Sequence, residues 1–283
     1  MDLSIITVTW NSADKIEDQM RSVVSGCKKI SFEQIIVDNA SSDTTTACVE
    51  NNFPRAIIIK NTENKGFGAA NNQAAWIAQG RYMLFLNPDM HVAEGSLYTM
   101  VEWMDKRTDI GLASCKLVDI FGAINLEATP RRLPTLLDQL AIILKVPHLF
   151  PKILDNYFYR DKDFNIEQEV DSVRGAFMII RREVVEKLGW AFDPRYYFWF
   201  EDVDICREVK RLGYAVVHTP TVSCIDYVGQ SIKKRDSLWK QKQFTTSMII
   251  YFKKWEAPWQ WVMIAVLRPI GLFFTWIRAW YKS

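Results

Sequence analysis

The feature that most limits how this chain can fold is an alternation of strand and helix signals in its first 89 residues. Four short apolar runs, at 3–9, 34–37, 56–60 and 82–86, are separated by helix-forming segments and are each followed by polar residues. This rhythm predicts a mainly parallel sheet with flanking helices. Such sheets bind ligands at the carboxyl ends of their strands, where Asn11, Asp38 and Asp89 stand.

The second half of the chain alternates less regularly. A helix signal at 95–105 and a strand signal at 112–118 extend the pattern, so an α/β, Rossmann-like fold is expected. Four prolines interrupt residues 129–171, where 136–146 has an apolar helical pattern. A strand at 173–181, helices at 182–188 and 201–212, and a strand containing His218 are predicted to follow.

Composition narrows the class of protein. Of 283 residues, 49% are hydrophobic and 24% are charged, which is typical of a folded chain. The formal net charge of +2 does not indicate nucleic-acid binding. Five cysteines contain no Cys-x-x-Cys pair and are expected as reduced thiols in the cytosol, while three histidines argue against a zinc site. The N-terminus shows no signal-peptide pattern.

A carboxylate follows the fourth strand in the run Leu86-Asn87-Pro88-Asp89. A carboxylate at a strand end can hold a hard cation against a diphosphate. The same residue is also typical of a turn after proline, and in isolation this simpler interpretation is favoured.

Three acids, Glu201, Asp202 and Asp204, cluster at a predicted helix start directly after five aromatic residues at 196–200. Acids are common at helix N-termini, which is one explanation. Aromatic faces beside carboxylates are also what a sugar-binding cleft uses, and such a carboxylate can deprotonate an acceptor hydroxyl. The aromatic run favours the cleft.

Two further segments have both a structural and a ligand-binding interpretation. Asp38 in the run Asp38-Asn39-Ala40-Ser41-Ser42-Asp43 could accept hydrogen bonds from a base or ribose, or the segment could simply cap a helix. Gly66 and Gly68, in the loop 64–72, would let the backbone approach a ligand closely, or could belong to a plain strand-to-helix loop.

Taken together, these segments resemble the family 2 glycosyltransferases of the GT-A fold, in their rhamnosyltransferase-like branch. Six motifs occur in the order of that family over about residues 1–231. They are SIITVTWN at 4–11, IVDNASSD at 36–43, NKGFGAANN at 64–72, LNPD at 86–89, RGAF at 174–177, and FDP at 192–194 followed by FEDVD at 200–204.

The resemblance implies a role for each matching residue. Asp202 would be the catalytic base of an inverting transfer and Glu201 would orient the acceptor. Asn87 and Asp89 stand at the metal-binding motif, with Mg²⁺ or Mn²⁺ as the ion. The donor would contact Val8, Thr9, Asn11, Asp38, Asn39, Gly66, Phe67, Gly68, Asn72 and Asn87, and the acceptor would contact Trp199, Arg174 and Gly175.

One segment departs from the branch, which usually has His-x-x-Gly-x-Ser after the acidic motif. Here Asp226 replaces the histidine, whereas Gly229 and Ser231 match. An aspartate is a good ligand for Mg²⁺ or Mn²⁺, so Asp89 and Asp226 could share the ion. In the alternative, Asp89, phosphates and water hold it without Asp226.

The C-terminal segment is rich in tryptophan and aliphatic residues between 259 and 277. Because Arg268 and Pro269 stand at its centre, two short helices lying in a membrane interface are predicted rather than one spanning helix. The alternative is a helix packed on the catalytic domain or on a second subunit of a homodimer. The expected domains are a catalytic domain at 1–231, with a nucleotide-binding half at 1–118 and an acceptor-binding half at 119–231, and a helical tail at 232–283.

The expected function is sugar transfer from a nucleotide donor to a glycan or polyprenyl-diphosphate-linked acceptor, at the cytoplasmic face of the inner membrane. dTDP-rhamnose is the first candidate donor. A UDP-linked galactose, galactofuranose, glucose or N-acetylhexosamine, or a catalytically impaired nucleotide-sugar-binding subunit, is the alternative. A nucleotidyltransferase fits poorly, because Trp10-Asn11-Ser12-Ala13 stands where a phosphate loop would be.

Overall fold

The first half of the chain forms the parallel part of one sheet. A computed structural model describes residues 1–227 and 236–280, and the side chains up to residue 278. Strands β1 (Leu3–Thr9), β2 (Phe32–Asp38), β3 (Ile57–Lys60) and β4 (Tyr82–Leu86) lie in the order β3-β2-β1-β4, all parallel. The carboxyl ends of β1, β2 and β4 therefore share one edge, as the sequence predicts.

The second half of the sheet is mixed. β5 (Met90–Val92), β6 (Ile110–Val118), β7 (Gln168–Glu169), β8 (Phe177–Arg181) and β9 (Ala215–Asp226) extend the order to β3-β2-β1-β4-β8-β6-β9-β5, with β7 beside β9. β8 runs antiparallel to both β4 and β6, and β5 and β7 run antiparallel to β9. The mainly parallel pattern thus holds for β1–β4, and β6 with β9 adds one more parallel pair.

Helices cover both faces of the sheet, because adjacent residues of its central strands are apolar and point to opposite sides. Ile6 contributes to a core with Phe85 and Met178, whereas Ile5 contributes to a second core with Leu84. The helices up to the acid-led one are α1 (Ile16–Gly26), α2 (Thr45–Asn52), α3 (Phe67–Ile77), α4 (Ser96–Asp105), α5 (Leu136–Ile143), α6 (Arg182–Leu188) and α7 (Glu201–Arg211).

A third core joins the C-terminal segment to α5 and to the start of α7. Helix α8 (Ser237–Trp255) and helix α9 (Pro258–Trp280) pack against each other and, with α5, bury an apolar cluster. Tyr196, Phe200 and Val203 enter this cluster beside Met248 and Tyr251 of α8. The expected domain boundary at 231/232 lies outside the described residues, and α8 packs directly on the segment that leads into α7.

The prediction of two helices broken at Arg268 and Pro269 is wrong, because α9 runs continuously through Pro269. Arg268 reaches back to α8, where its Nη2 donates to Thr246 Oγ1 at 2.8 Å. Gly271 allows a close approach to α5, since a Cβ atom there would lie 2.8 Å from Ile143 O. Packing on α5 and α8 therefore compensates for the backbone hydrogen bond that proline removes.

The outer face of α9 is apolar and exposed. Val266 is 67% exposed and Phe273 56%, while Ile264 and Thr275 face the protein. An 18-residue stretch within residues 258–278 has a mean hydropathy of 1.5, and by length and composition alone this is the one helix among the described residues that could cross a membrane.

Candidate active site

A cavity of about 340 Å³ opens at the carboxyl ends of β1, β2 and β4. Its walls come from both halves of the sheet, from the aromatic segment before α7, and from α8. The predicted site residues that line it are Val8, Thr9, Asn39, Gly66, Phe67, Asn87, Asp89, Arg174, Gly175, Trp199, Glu201, Asp202 and Asp226. The sequence motifs, which are far apart in the chain, are thus brought to one place.

The wall formed by β1 and β2 is held by polar contacts between strand ends. Thr9 Oγ1 donates to Asp38 Oδ1 at 3.0 Å, and Ser41 N donates to Asp38 Oδ2 at 2.9 Å. Asn39 Nδ2 donates to Gly66 O at 3.0 Å and thereby ties β2 to the glycine loop. These bonds fix the backbone against which a flat base could lie.

The glycine loop requires glycine at one position. Gly66 has a φ of +85°, and a Cβ atom there would lie 2.3 Å from Tyr197 O. Phe67 N donates to that same oxygen at 2.9 Å. The loop therefore docks on the aromatic segment before α7, and its glycine reflects close approach to protein rather than to a ligand alone.

Four predicted donor-binding residues, Asn11, Asp38, Gly68 and Asn72, lie outside the cavity lining. Asn72 Oδ1 accepts from Phe192 N at 2.9 Å, and Asn72 Nδ2 donates to Phe192 O at 2.6 Å. Gly68 packs against Phe192 Cβ. Asn11 Oδ1 accepts from Ser42 N at 2.8 Å. Their contacts hold the loops around the cavity, and direct contact with a donor stays a prediction.

The candidate metal position lies between two strand ends. Asp89 and Asp226 are both buried and both line the cavity. Met90, next to Asp89, pairs with Asp226 in the β5–β9 ladder, and Tyr227 N donates to Asp89 O at 3.0 Å. The described residues contain no group of three or more His, Cys, Asp or Glu side chains placed to hold an ion. Two buried carboxylates facing one cavity nevertheless fit a hard cation that completes its shell with phosphate and water oxygens.

His218 does not belong to this position. It lies in β9, where it is buried and its Nε2 is 2.9 Å from Phe164 O. Burial lowers its pKa. The prediction of a strand histidine is confirmed. Gly229 and Ser231, which match the rest of the His-x-x-Gly-x-Ser motif, lie outside the described residues.

The acidic cluster separates into two groups. Asp202 is half-buried at the cavity, and its Oδ2 accepts from Gly175 N at 3.3 Å while Oδ1 accepts from Val203 N at 2.9 Å. Glu201 is 6% exposed and its Oε2 has no hydrogen-bond partner in the described chain. Burial, followed by the neighbouring charge of Asp202, raises the pKa of Glu201 well above its usual range. Asp204 points away into the protein.

The turn before α7 is strained and aromatic. Trp199 and Phe200 have φ values of +67° and +68°, a conformation that aromatic residues rarely adopt. Trp199 packs against Trp239 and Phe244 of α8, with ring centroids 6.2 and 5.9 Å away. Strain of this kind persists where the surrounding structure fixes it and is frequent at active sites. The turn aims Trp199 and Asp202 into one cavity.

Sequence reasoning missed part of the lining. Arg131 and Tyr157 come from the proline-interrupted region, and Trp239 and Phe244 come from the segment that the sequence assigned to a separate tail. The missed lining residues also include Trp10, Asn64, Asn125, Glu127, Tyr197 and Phe198. Of these, Trp10 and Asn64 lie inside recognised motifs and Tyr197 and Phe198 lie in the aromatic run, so these four could have been found from the sequence.

A mixed sheet with a cavity at its strand ends, lined by two carboxylates and by an acid-led helix, is the architecture of the GT-A fold. The mannosyltransferase PcManGT from Pyrobaculum calidifontis, solved with GDP-Man and Mn²⁺, matches with a TM-score of 0.59 at 18% identity, over 98% of this chain and 73% of that one. TarS 1-349 of S. aureus, solved with UDP, matches with a TM-score of 0.56 at 16% identity, over 89% of this chain and 66% of that one.

The chain belongs to glycosyl transferase family 2, whose sequence model matches residues 4–189. It is similar to the N-acetylglucosaminyl-diphospho-decaprenol L-rhamnosyltransferase of Mycobacterium tuberculosis, at 20% identity over 92% of this chain and 89% of that protein. It is also similar to the rhamnosyltransferase WbbL of Escherichia coli, at 26% identity over 57% of this chain and 61% of that protein. Both agree with the expected branch. The chain spans only 27% of protein y4gI of Sinorhizobium fredii, which it matches at 23% identity over 90% of its own length.

Proposed function

We propose that this protein transfers a sugar, with inversion, from a nucleotide-sugar donor to a lipid-linked glycan acceptor in the synthesis of a cell-surface polysaccharide. The observation that carries the proposal is the single cavity that holds Asp202, the Asp89–Asp226 pair and the ends of β1 and β2. If the donor diphosphate lies beside Asp89 and Asp226, the acceptor can approach from the side of α7.

Asp202 is the proposed base. The backbone N–H groups of Gly175 and Val203 donate to its carboxylate and orient it at the cavity wall. No basic side chain in the described part of the protein bonds to it. From there it can take the proton of an acceptor hydroxyl as the oxygen attacks the anomeric carbon and the nucleoside diphosphate leaves from the opposite face. The proposal assigns Glu201, whose pKa is raised by burial, to a hydrogen bond that orients the acceptor.

The proposed metal, Mg²⁺ or Mn²⁺, would be held by Asp89 and Asp226, with Asn87 nearby. When bound, it would neutralise the charge of the leaving diphosphate. Mn²⁺ in the PcManGT structure supports a divalent ion. The chain's own contribution is to fix both carboxylates through the β5–β9 ladder.

Rhamnose from dTDP-rhamnose is the proposed sugar, because two of the relatives are named as rhamnosyltransferases. A UDP-linked sugar is the alternative to be tested, since TarS was solved with UDP and a poly(ribitol-phosphate) beta-glucosyltransferase is also among the relatives.

The exposed face of α9 is proposed to lie in the lipid interface at the cytoplasmic side of the inner membrane. Its apolar residues Val262, Val266, Ile270 and Phe273 follow helical spacing, while Arg268 is bonded to α8 and does not face outward. Lys253, just before α9, and Arg278, near its end, suit anionic headgroups. Val266→Asp together with Phe273→Asp should abolish flotation with vesicles containing phosphatidylglycerol; unchanged flotation would exclude this face.

Donor binding tests the proposal as a whole. Melting curves with dTDP-rhamnose, UDP-glucose, UDP-galactose and UDP-N-acetylglucosamine, with and without Mn²⁺, should give a metal-dependent rise for one donor, because ligands that bind only the native state stabilise it. Asp89→Asn should remove the metal dependence, whereas Asp109→Asn on the far end of β6 should keep it. A donor that raises the melting temperature equally with and without Mn²⁺ in both variants would overturn the metal assignment. Metal-dependent donor binding without sugar transfer would support the alternative of a catalytically impaired subunit.

A further inference from the structure

Two arginines that the proposed chemistry does not use line the same cavity side by side. Arg131 Nη2 and Arg174 Nη1 both donate to Glu127 O, at 3.3 and 3.4 Å. Two guanidinium groups that share one carbonyl oxygen must lie close together, and the charge of Arg131 is the main cause that lowers the pKa of Arg174. Their mutual repulsion favours an anion between or beside them.

Neither arginine is neutralised by a carboxylate at contact distance. Within residues 1–227 and 236–280, no Asp or Glu oxygen lies within 4 Å of a nitrogen of either side chain. The adjacent Arg132 is treated differently, since it pairs with Asp161 at 2.9 Å. The Nε of Arg131 is buried and has no hydrogen-bond partner within residues 1–227 and 236–280. An unpaired buried donor is unfavourable for stability, so the placement points to a requirement other than folding.

The pair lies beside the proposed base, since the charge of Asp202 raises the pKa of Arg174 more than the charge of Asp226 does. Arg174 precedes Gly175, whose N–H bonds to Asp202, so the pair lies on the side of the proposed base. Arg131 stacks near Phe158, with its Cζ 5.0 Å from the ring centroid, and Tyr157 beside it is buried against α5. The pair therefore lies near Asp202 and, through Tyr157, near α5, which packs against α9 in one helical layer.

The same helical layer ends in exposed apolar side chains. Leu149 and Phe150, which follow α5, are 78% and 64% exposed. Arg278 of α9 contacts His148 beside them, with Nη1 2.9 Å from Nε2. An acceptor held at the arginines could thus direct a sugar toward Asp202 and an apolar chain toward this surface.

We propose that Arg131 and Arg174 form an anion subsite for the diphosphate of a lipid-linked acceptor. The subsite rests on the proposed glycosyl transfer and names the chemical class of its acceptor. Guanidinium groups bind phosphate oxygens through paired, charge-assisted hydrogen bonds, which Lys or Gln cannot reproduce in full.

The experiment measures binding and does not depend on turnover. The full-length protein is saturated with Mg²⁺ and UDP, or with dTDP if UDP does not bind, and is then titrated calorimetrically with inorganic pyrophosphate and with farnesyl diphosphate. Farnesol serves as the probe without phosphate. Wild type should bind both diphosphates while the nucleotide remains bound, and should bind farnesol more weakly.

The variants Arg131→Gln and Arg174→Gln should each weaken pyrophosphate binding about tenfold or more, because hydrogen bonds to charged groups are the strong ones. Arg131→Lys should recover part of the affinity. Arg160→Gln, an exposed arginine of the neighbouring segment, should bind as wild type does. Unchanged nucleotide affinity in every variant shows that the protein is folded.

Three results would overturn the subsite: no pyrophosphate binding to the nucleotide-saturated protein, competition between pyrophosphate and the nucleotide, or unchanged affinity in both glutamine variants. Competition would assign the arginines to the donor diphosphate instead. Failure of the nucleotide itself to bind would count against the proposed function, and that outcome is distinguishable because it is measured in the first titration.

Discussion

Helix α7 carries two sets of carboxylates whose surroundings differ. Asp202 and Glu201 face the cavity, and no described basic side chain forms an ion pair with either. Asp204 and Glu208, together with Asp193, surround the ammonium group of Lys254, with oxygens at 2.7, 2.8 and 3.0 Å from Nζ. Acids that look equivalent in sequence are thus divided between the cavity wall and a buried ion cluster.

The acids around Lys254 link the C-terminal segment to α7. Lys254 lies on α8, and the neighbouring Trp255 Nε1 donates to Asp204 Oδ1 at 2.6 Å. Ser247 Oγ, also on α8, donates to Phe198 O at 2.7 Å. The strained turn and the first turn of α7 are therefore fixed from behind by the segment that also carries the exposed apolar helix.

The largest effect on stability is expected for Lys254→Met. Removing one partner of a buried ion cluster leaves uncompensated charge and should lower the free energy of unfolding by about 3–5 kcal/mol, as measured by urea denaturation. Lys253→Met is the matched control, because Lys253 is exposed and is expected to change stability by no more than about 1 kcal/mol. Equal losses of unfolding free energy in the two variants would show that the buried ion cluster stabilises the fold no more than an exposed lysine does.

Asp193 should give this support an acid-sensitive component. Its pKa is lowered to about 2, since hydrogen bonds from Arg195 and Lys254 outweigh the effect of burial. A carboxyl with a depressed folded-state pKa contributes stability that is complete above about pH 4 and is lost as the pH falls toward 2. The contribution corresponds to about 2 kcal/mol. Asp193→Asn should remove that part of the pH dependence in unfolding measurements between pH 2 and 5, and an unchanged profile would contradict it.

Glu201 should make stability fall with rising pH, which is opposite to the effect of Asp193. Burial raises its pKa, so ionisation is less favourable in the folded state and stability declines as the pH rises above about 4.5, through the folded-state pKa. Glu201→Gln should therefore leave stability at pH 7 unchanged or raise it by about 1 kcal/mol, while transfer slows about tenfold because acceptor orientation is impaired. A destabilised variant with full activity would place Glu201 with the supporting acids.

The sequence predicted the first half of the fold well because its signals are local. The apolar runs of β1 and β4 coincide with the observed strands. β5 was missed because three residues after Pro88 and Asp89 give no periodicity. β9 was seen only at His218, since buried polar residues such as Thr219 hide its alternation.

The candidate site was predictable where motifs are contiguous and not where contacts are long-range. Asp202 and Asp204 stand two positions apart on a helix, which turns their side chains about 200° away from each other. Periodicity therefore implies that the two differ, although not which one faces the cavity. That choice depends on Lys254, 50 residues further along the chain, and on Gly175, 27 residues before Asp202. Periodicity predicts neither contact, and it was the resemblance to the family, with Gly175 in its RGAF motif, that selected Asp202.

The most direct test of this division compares Asp202→Asn with Asp204→Asn. The measurement is the initial rate of sugar transfer to a lipid-linked acceptor extract, from the donor that gives the metal-dependent melting shift, divided by the folded fraction from circular dichroism. Loss of a general base should lower the rate of Asp202→Asn by about 10²–10⁴-fold without lowering its melting temperature. Asp204→Asn should melt earlier but keep a rate per folded molecule within about threefold of wild type. Full activity in Asp202→Asn, or equal loss in both folded variants, would contradict the assignment of Asp202 as the base.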